Sequence, residues 1–241
     1  MATLVTSTVL DDEIINFCFS SRIIYGLLSI SKKTDYNFAL DKAFNDTFHW
    51  SIRSKYSKKY SKCKVNFENE FSSYFKAGVI FSVFFKSETY LFNKRFGISG
   101  GLIGYAQKFI CMTFKYLYCF SSSASQKFLF NDCYMPLDKY VLNWVRRFKN
   151  KSINIKLNGI NNTWSKMSCS LYYQIQDFIN KTLSKSIKYI VKYPRFGSQD
   201  DVVLPNYSIQ AEFIIWHQEK LNEIKNQVDK LSYTEKTRIG F

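Results

Sequence analysis

An all-α, two-lobed helical domain built around a central helical hairpin is the fold the sequence predicts, and three observations predict it. Apolar residues recur at spacings of three and four over seven stretches of the chain. The three prolines, Pro136, Pro194 and Pro205, fall at or near the ends of those stretches, where they punctuate helices without interrupting them. Alternation with period two is confined to two short runs, too little for a large sheet.

Taken in order, helices are expected from Ile14 to Ile30, Phe38 to Trp50, Phe67 to Phe92, Ile103 to Phe120, Leu137 to Phe148, Ser168 to Ile190 and Ile209 to Leu231. The last carries charge on one face, as a surface helix does. Short strands are expected around Ile153 to Leu157 and Val202 to Leu204. Two polar runs read as loops: Ser121 to Gln126, and Arg53 to Lys64, which holds six positive charges in twelve residues. The second is a candidate phosphate-contacting arm or a solvated basic loop. No internal repeat and no long linker divides residues 1–241, so one domain is expected.

Composition narrows the partners. Lys and Arg number 34 against 19 Asp and Glu, a formal charge of +15 that concentrates polyanions near the surface. Nucleic acid is the first partner to consider; a basic surface kept for solubility is the plainer reading. The 23 Phe and 17 Tyr exceed what a core of this size requires, which leaves some for stacking on bases. Six cysteines lie scattered without a C-x-x-C pair, which argues against both a zinc site and a disulfide framework and for a reducing compartment. The first residues lack the pattern of a secretory signal, and the longest uncharged apolar run, Ala77 to Phe85, is too short to span a bilayer. A cytoplasmic monomer with no membrane partner is expected.

The informative stretch runs from Gly97 through Ser99-Gly100-Gly101-Leu102-Ile103-Gly104-Tyr105-Ala106-Gln107-Lys108 into a strongly apolar helix. A glycine-rich turn feeding a helix start lets backbone approach a phosphate and presents unpaired N–H groups to it. Alone it is equally a tight turn. Downstream, Pro136-Leu137-Asp138 opens another helix.

With Gly104-x-x-x-Lys108 and Pro136-Leu137-Asp138 in this order, the chain resembles the helix-hairpin-helix DNA glycosylase superfamily, in its 8-oxoguanine glycosylase branch. It also resembles a looser group of bacterial proteins of unassigned or anti-phage character. These share the order Ala106-Gln107-Lys108, Lys115-Tyr116-Leu117, Pro136-Leu137-Asp138 and Trp164-Ser165-Lys166. An activity near that group is excision of bulky modified cytosines from phage DNA. The resemblance covers about residues 97–145, loosely to Trp164. It departs from the family in the glycine pattern Gly100-Gly101-x-x-Gly104, in a longer gap from lysine to aspartate, and in lacking the iron–sulfur cysteines of some branches.

The resemblance implies a helix-hairpin-helix-like element that grips double-stranded DNA, phage or damaged, while one modified base is flipped into a cleft. Glucosylated hydroxymethylcytosine is one such base. Asp138 would stabilise oxocarbenium character at the sugar as the N-glycosidic bond breaks. Lys108 would capture C1′ as a Schiff base once its amine sheds a proton, which permits strand cleavage as well. Gly101, Gly104, Gln107 and Lys115 are the expected DNA contacts. Tyr105, Tyr134 and Trp164 are the expected walls of the base pocket. No metal and no organic cofactor is implied.

Each assignment has a plainer counterpart. A lysine near a helix start is often a surface charge, an aspartate after proline is often a cap, and the three aromatics are ordinary core residues. Lys115, seven residues beyond Lys108 on the same helical face, is the alternative nucleophile. His49 and His217 are the only histidines, so a histidine-based triad has almost nothing to draw on. Two other readings remain open: a nucleic-acid-binding protein without chemistry, and a helical interaction or toxin-like protein with an acidic partner.

Overall fold

The computed structural model describes residues 2–20, 36–120, 128–148, 164–193 and 198–230. Among them it is all-α apart from one small hairpin, with eight α-helices. These are α1 (Ala2–Ser20), α2 (Tyr36–Thr47), α3 (Trp50–Ala77), α4 (Phe81–Phe96), α5 (Gly104–Phe120), α6 (Lys139–Phe148), α7 (Cys169–Leu183) and α8 (Ser208–Asp229). Strands β1 (Lys188–Tyr193) and β2 (Ser198–Val203) pair antiparallel between α7 and α8, with Lys188 opposite Val203 and Tyr193 opposite Ser198.

The centre is α5. Its sequence is mostly apolar, and the side chains from Ala106 to Tyr118, the polar Gln107, Thr113 and Lys115 included, are buried except the half-buried Lys108. A helix buried on every side must be wrapped by others. Helices α2 and α4 pack directly on it, and α6 and α1 pack on α8 nearby. The buried side chains form one contiguous cluster dominated by Phe.

Local chemistry fixes the helix ends. Gly97 stops α4 in the left-handed region (φ 67°), and the Ile98 N–H bonds back to the Asn93 carbonyl at 2.9 Å. Asn93 also donates from its side-chain amide to Leu102 O at 2.8 Å, closing the turn between α4 and α5. Ile103 N then bonds Met167 O at 2.9 Å, which ties this turn to a 3₁₀ turn at Trp164–Lys166 and to the start of α7. Ser168 caps α7 by accepting from Leu171 N at 3.4 Å.

Three element expectations are corrected. The run Arg53 to Lys64 is no loop; it is the N-terminal half of α3. Ile52, Tyr56, Tyr60, Cys63 and Phe67, at spacings of four, four, three and four, give that half an inward stripe. The expected Phe67 to Phe92 helix is broken at Gly78, which holds φ 62° and separates α3 from α4. The expected Ser168 to Ile190 helix stops at Leu183 and gives way to β1. The Val202 to Leu204 expectation falls on the end of β2. The Ser121 to Gln126 loop, the Ile153 to Leu157 strand and the second half of the Ile14 to Ile30 helix lie outside the described residues. No described helix is long and apolar enough to cross a membrane.

Candidate functional site

Asp138 is placed by the start of α6. Its Oδ1 accepts from Tyr140 N at 2.9 Å and from Val141 N at 3.1 Å, so the carboxylate caps the helix. Its Oδ2 accepts from the indole Nε1–H of Trp216 on α8 at 3.1 Å. Three donors from two helices hold both oxygens. The segment before α6 is pinned as well. The fully buried Gln107 side chain donates to Leu137 O at 2.9 Å and accepts from Leu137 N at 3.0 Å, a two-point clamp from α5 onto the residue preceding Asp138.

Lys108 lies one turn into α5, half-buried, with its ammonium 4.5 Å from the centroid of the Trp164 ring. Trp164 meets Tyr105 edge-on at 5.4 Å, and Tyr105 stacks on Phe48 at 5.2 Å. Gly104 makes this arrangement possible. A Cβ there would sit 2.1 Å from Trp164 O and 2.6 Å from Ser165, so only glycine lets the start of α5 touch that backbone.

A buried ion pair joins Lys115 on α5 to Glu212 on α8, each about 1% exposed. Phe17, Phe213 and Trp216 surround the Lys115 ammonium at 3.8, 4.6 and 5.4 Å from their ring centroids. Burial raises the Glu212 carboxyl to about 7 even though Lys115 pulls it back down. The Asp138 charge raises it further and the Lys108 charge lowers it, so this one carboxyl feels both candidate groups. Trp216 follows Glu212 by one helical turn, and Lys220 lies 4.6 Å over its ring. Cations over the indole draw electron density from it and sharpen its N–H as a donor to Asp138.

The structure therefore joins Lys108, Tyr105 and Trp164 in one set of contacts and Asp138 with Trp216 in another, and the charges of both sets act on Glu212; the sequence reading left Glu212 and Trp216 without chemistry. Their signal was an acid and an indole one turn apart on the last helix, and nothing in the sequence said what either would face. Four expected roles are corrected. Gln107 and Lys115 are buried and fully engaged inside the protein, so neither touches DNA here. The close approach at Gly104 is to the protein's own backbone, not to a phosphate. Tyr134 belongs to a different cluster, edge-on to Phe81 and Phe85 at 5.1 Å, where burial pushes its hydroxyl up. Gly101 stays exposed on the turn.

A groove of about 280 Å³ opens between α1 and α8, lined by Asn16, Phe17, Trp216, His217, Lys220 and Ile224 among others. Trp216 is thus a wall of this groove on one side of the ring and the partner of Asp138 through its N–H. Among the described residues no three His, Cys, Asp or Glu side chains converge as a metal site would require. No family model, no curated protein and no solved structure matches this chain.

Proposed function

We propose that this chain is a DNA glycosylase that excises a flipped, modified base, with Asp138 as the charge-stabilising carboxylate. The observation that carries the reading is the Asp138 carboxylate itself. It is fixed by two backbone N–H groups and an indole N–H, and its charge and that of Lys108, which rests on the Trp164 ring, both act on the buried Glu212 carboxyl. As the C1′–N bond breaks, the base leaves with the electron pair and the sugar gains positive charge. A carboxylate already oriented opposes that charge without reorganising. Water, or the Lys108 amine after losing a proton, then forms the new bond to C1′. The groove beside Trp216 gives an extruded base somewhere to go. The sequence resemblance supports phage DNA with modified cytosines as substrate and defence against phage as the setting.

A second reading is favoured by one specific fact: both Asp138 oxygens already serve the fold. On that reading Asp138 is only a cap, and the chain binds nucleic acid without chemistry. Asp138→Asn separates the two, because asparagine still caps a helix while the charge is gone. Purified wild type and Asp138→Asn would be incubated with plain DNA and with phage DNA carrying modified cytosines, then resolved on alkaline gels after borohydride trapping. Abasic sites from wild type alone support the glycosylase, and a trapped adduct lost in Lys108→Gln assigns the nucleophile. Intact DNA from both proteins, with binding retained, supports the binding module.

A further inference from the structure

We infer that the exposed Lys55–Lys58–Lys62 face of α3 is a docking ridge for the phosphate backbone of duplex DNA. The inference names the DNA-contacting surface for the glycosylase reading and rests on that reading for its choice of a duplex. Its footing is geometric. From Trp50 to Lys64, α3 carries six cations and no acid. Three of the six are spent inside the protein. Arg53 donates to Phe48 O at 3.2 Å and Asn45 O at 2.9 Å, Lys64 pairs with Asp41 at 2.7 Å, and Lys59 donates to Phe96 O at 2.9 Å. Lys55, Lys58 and Lys62 are the exposed remainder, and at spacings of three and four they share one face.

That face extends about 10 Å along the helix axis, over which one DNA strand presents about three phosphates. Ser51 and Ser54 precede these lysines, and Ser57 and Ser61 stand between them, all exposed. From Lys55 to Lys62 the exposed positions are lysine and serine, and lysine is depleted from the centre of protein interfaces. The face offers a phosphate backbone charge, while the Ser57 and Ser61 hydroxyls donate to the Ser54 and Ser57 carbonyls of the helix itself. At the head of the ridge Trp50 is 75% exposed, its ring tilted against His49 at 5.4 Å, and an exposed indole can stack on a base.

The helix that carries the ridge reaches the Tyr105–Trp164 contact through its inward face. Tyr56 stacks on Phe48 at 4.5 Å, and Phe48 stacks on Tyr105, which meets Trp164 under Lys108. The Lys59 ammonium reaches to 3.3 Å from where a Gly97 Cβ would stand, at the mouth of the α4–α5 turn. This surface takes over the contact role that Gln107 and Lys115, both buried, leave vacant.

The test reads binding alone, in the Asp138→Asn background so that no base is released. Fluorescence anisotropy over a range of salt would compare Lys55→Gln/Lys58→Gln/Lys62→Gln with Lys76→Gln/Lys185→Gln/Lys230→Gln, three exposed lysines elsewhere. The probes are a 20-bp DNA duplex, a 20-bp RNA duplex and polyglutamate. The ridge variant is expected to bind the DNA duplex about tenfold or more weakly, with a log–log salt slope shallower by about three. The control triple is expected to keep both. Equal losses from the two triples, an unchanged slope, or a loss confined to RNA or polyglutamate would overturn the proposal. Failure of wild type to release bases would sink the glycosylase reading and leave this result standing.

Discussion

The indole N–H of Trp216 donates to the Asp138 carboxylate at 3.1 Å, joining residues 78 positions apart in the chain. It makes α8 the element that orients the group on which the proposed chemistry turns. Trp216→Phe keeps an aromatic ring where the indole packs edge-on with Tyr140 at 5.5 Å and Phe17 at 6.0 Å, and removes the donor together with part of the ring volume. Urea denaturation should show a loss of about 2 kcal/mol, the net worth of a bond to a charged group. Base release should fall about tenfold while DNA affinity holds. Unchanged release in a protein of unchanged fold would show that Trp216 does not position Asp138.

The Lys115–Glu212 pair makes a prediction about partners rather than residues. Removing one ion from a buried pair strands the other, so Lys115→Met should cost about 3–5 kcal/mol and drive the Glu212 carboxyl further up. Lys115→Met combined with Glu212→Leu should recover most of that loss, because neither charge then needs solvation. Thermal melts of the two singles and the double decide it, and simple additivity would contradict the pairing.

Gly104→Ala should be far worse than Gly100→Ala. The first puts a methyl 2.1 Å from a carbonyl oxygen that cannot swing aside, whereas the second meets nothing within 4 Å. A loss of about 2 kcal/mol or more is expected for the first and almost none for the second. Since Trp164 must shift, its fluorescence should change in Gly104→Ala alone. Equal stability of the two variants would refute the close approach.

Glu88 predicts how stability follows pH. Its carboxyl is buried on α4 and raised to about 8, by burial first and then by the Glu70 charge, with Arg95 pulling it down. The folded state therefore holds a proton that the unfolded chain, near 4.5, gives up. This contribution is whole below pH 4.5 and disappears as pH climbs through about 8, a change on the order of a few kcal/mol. Melting temperatures from pH 5 to 9 should fall more steeply for wild type than for Glu88→Gln. Parallel curves would show that Glu88 does not carry the dependence.

How much of this was legible in the sequence varies with the reach of each interaction. The helices around Phe38, Ile103 and Leu137 were legible because a local repeat of apolar residues is all that a buried helix face demands. Arg53 to Lys64 was misread because its serines and lysines dominate the eye, although Ile52, Tyr56, Tyr60 and Cys63 already carried the helical stripe. Asp138 as a helix start followed from the proline two residues before it. What Trp216 and Glu212 face could not be read, because their partners lie on α5 and α6 and only tertiary packing sets them opposite one another. Gln107 and Lys115 failed for the same reason: polar residues on a helix look exposed until the neighbours that bury them are known.

The order in which the chain is made gives the tie between α8 and Asp138 a temporal meaning. Every other described element of the candidate site has been synthesised before Trp216 emerges. Until α8 docks, Glu212 is absent from Lys115 and the second oxygen of Asp138 has no indole to hold it. A nascent chain can therefore fold α5 and its basic helix while the Asp138 carboxylate is still held by the α6 backbone alone. The second hold on that carboxylate arrives as a last step, with the docking of one helix.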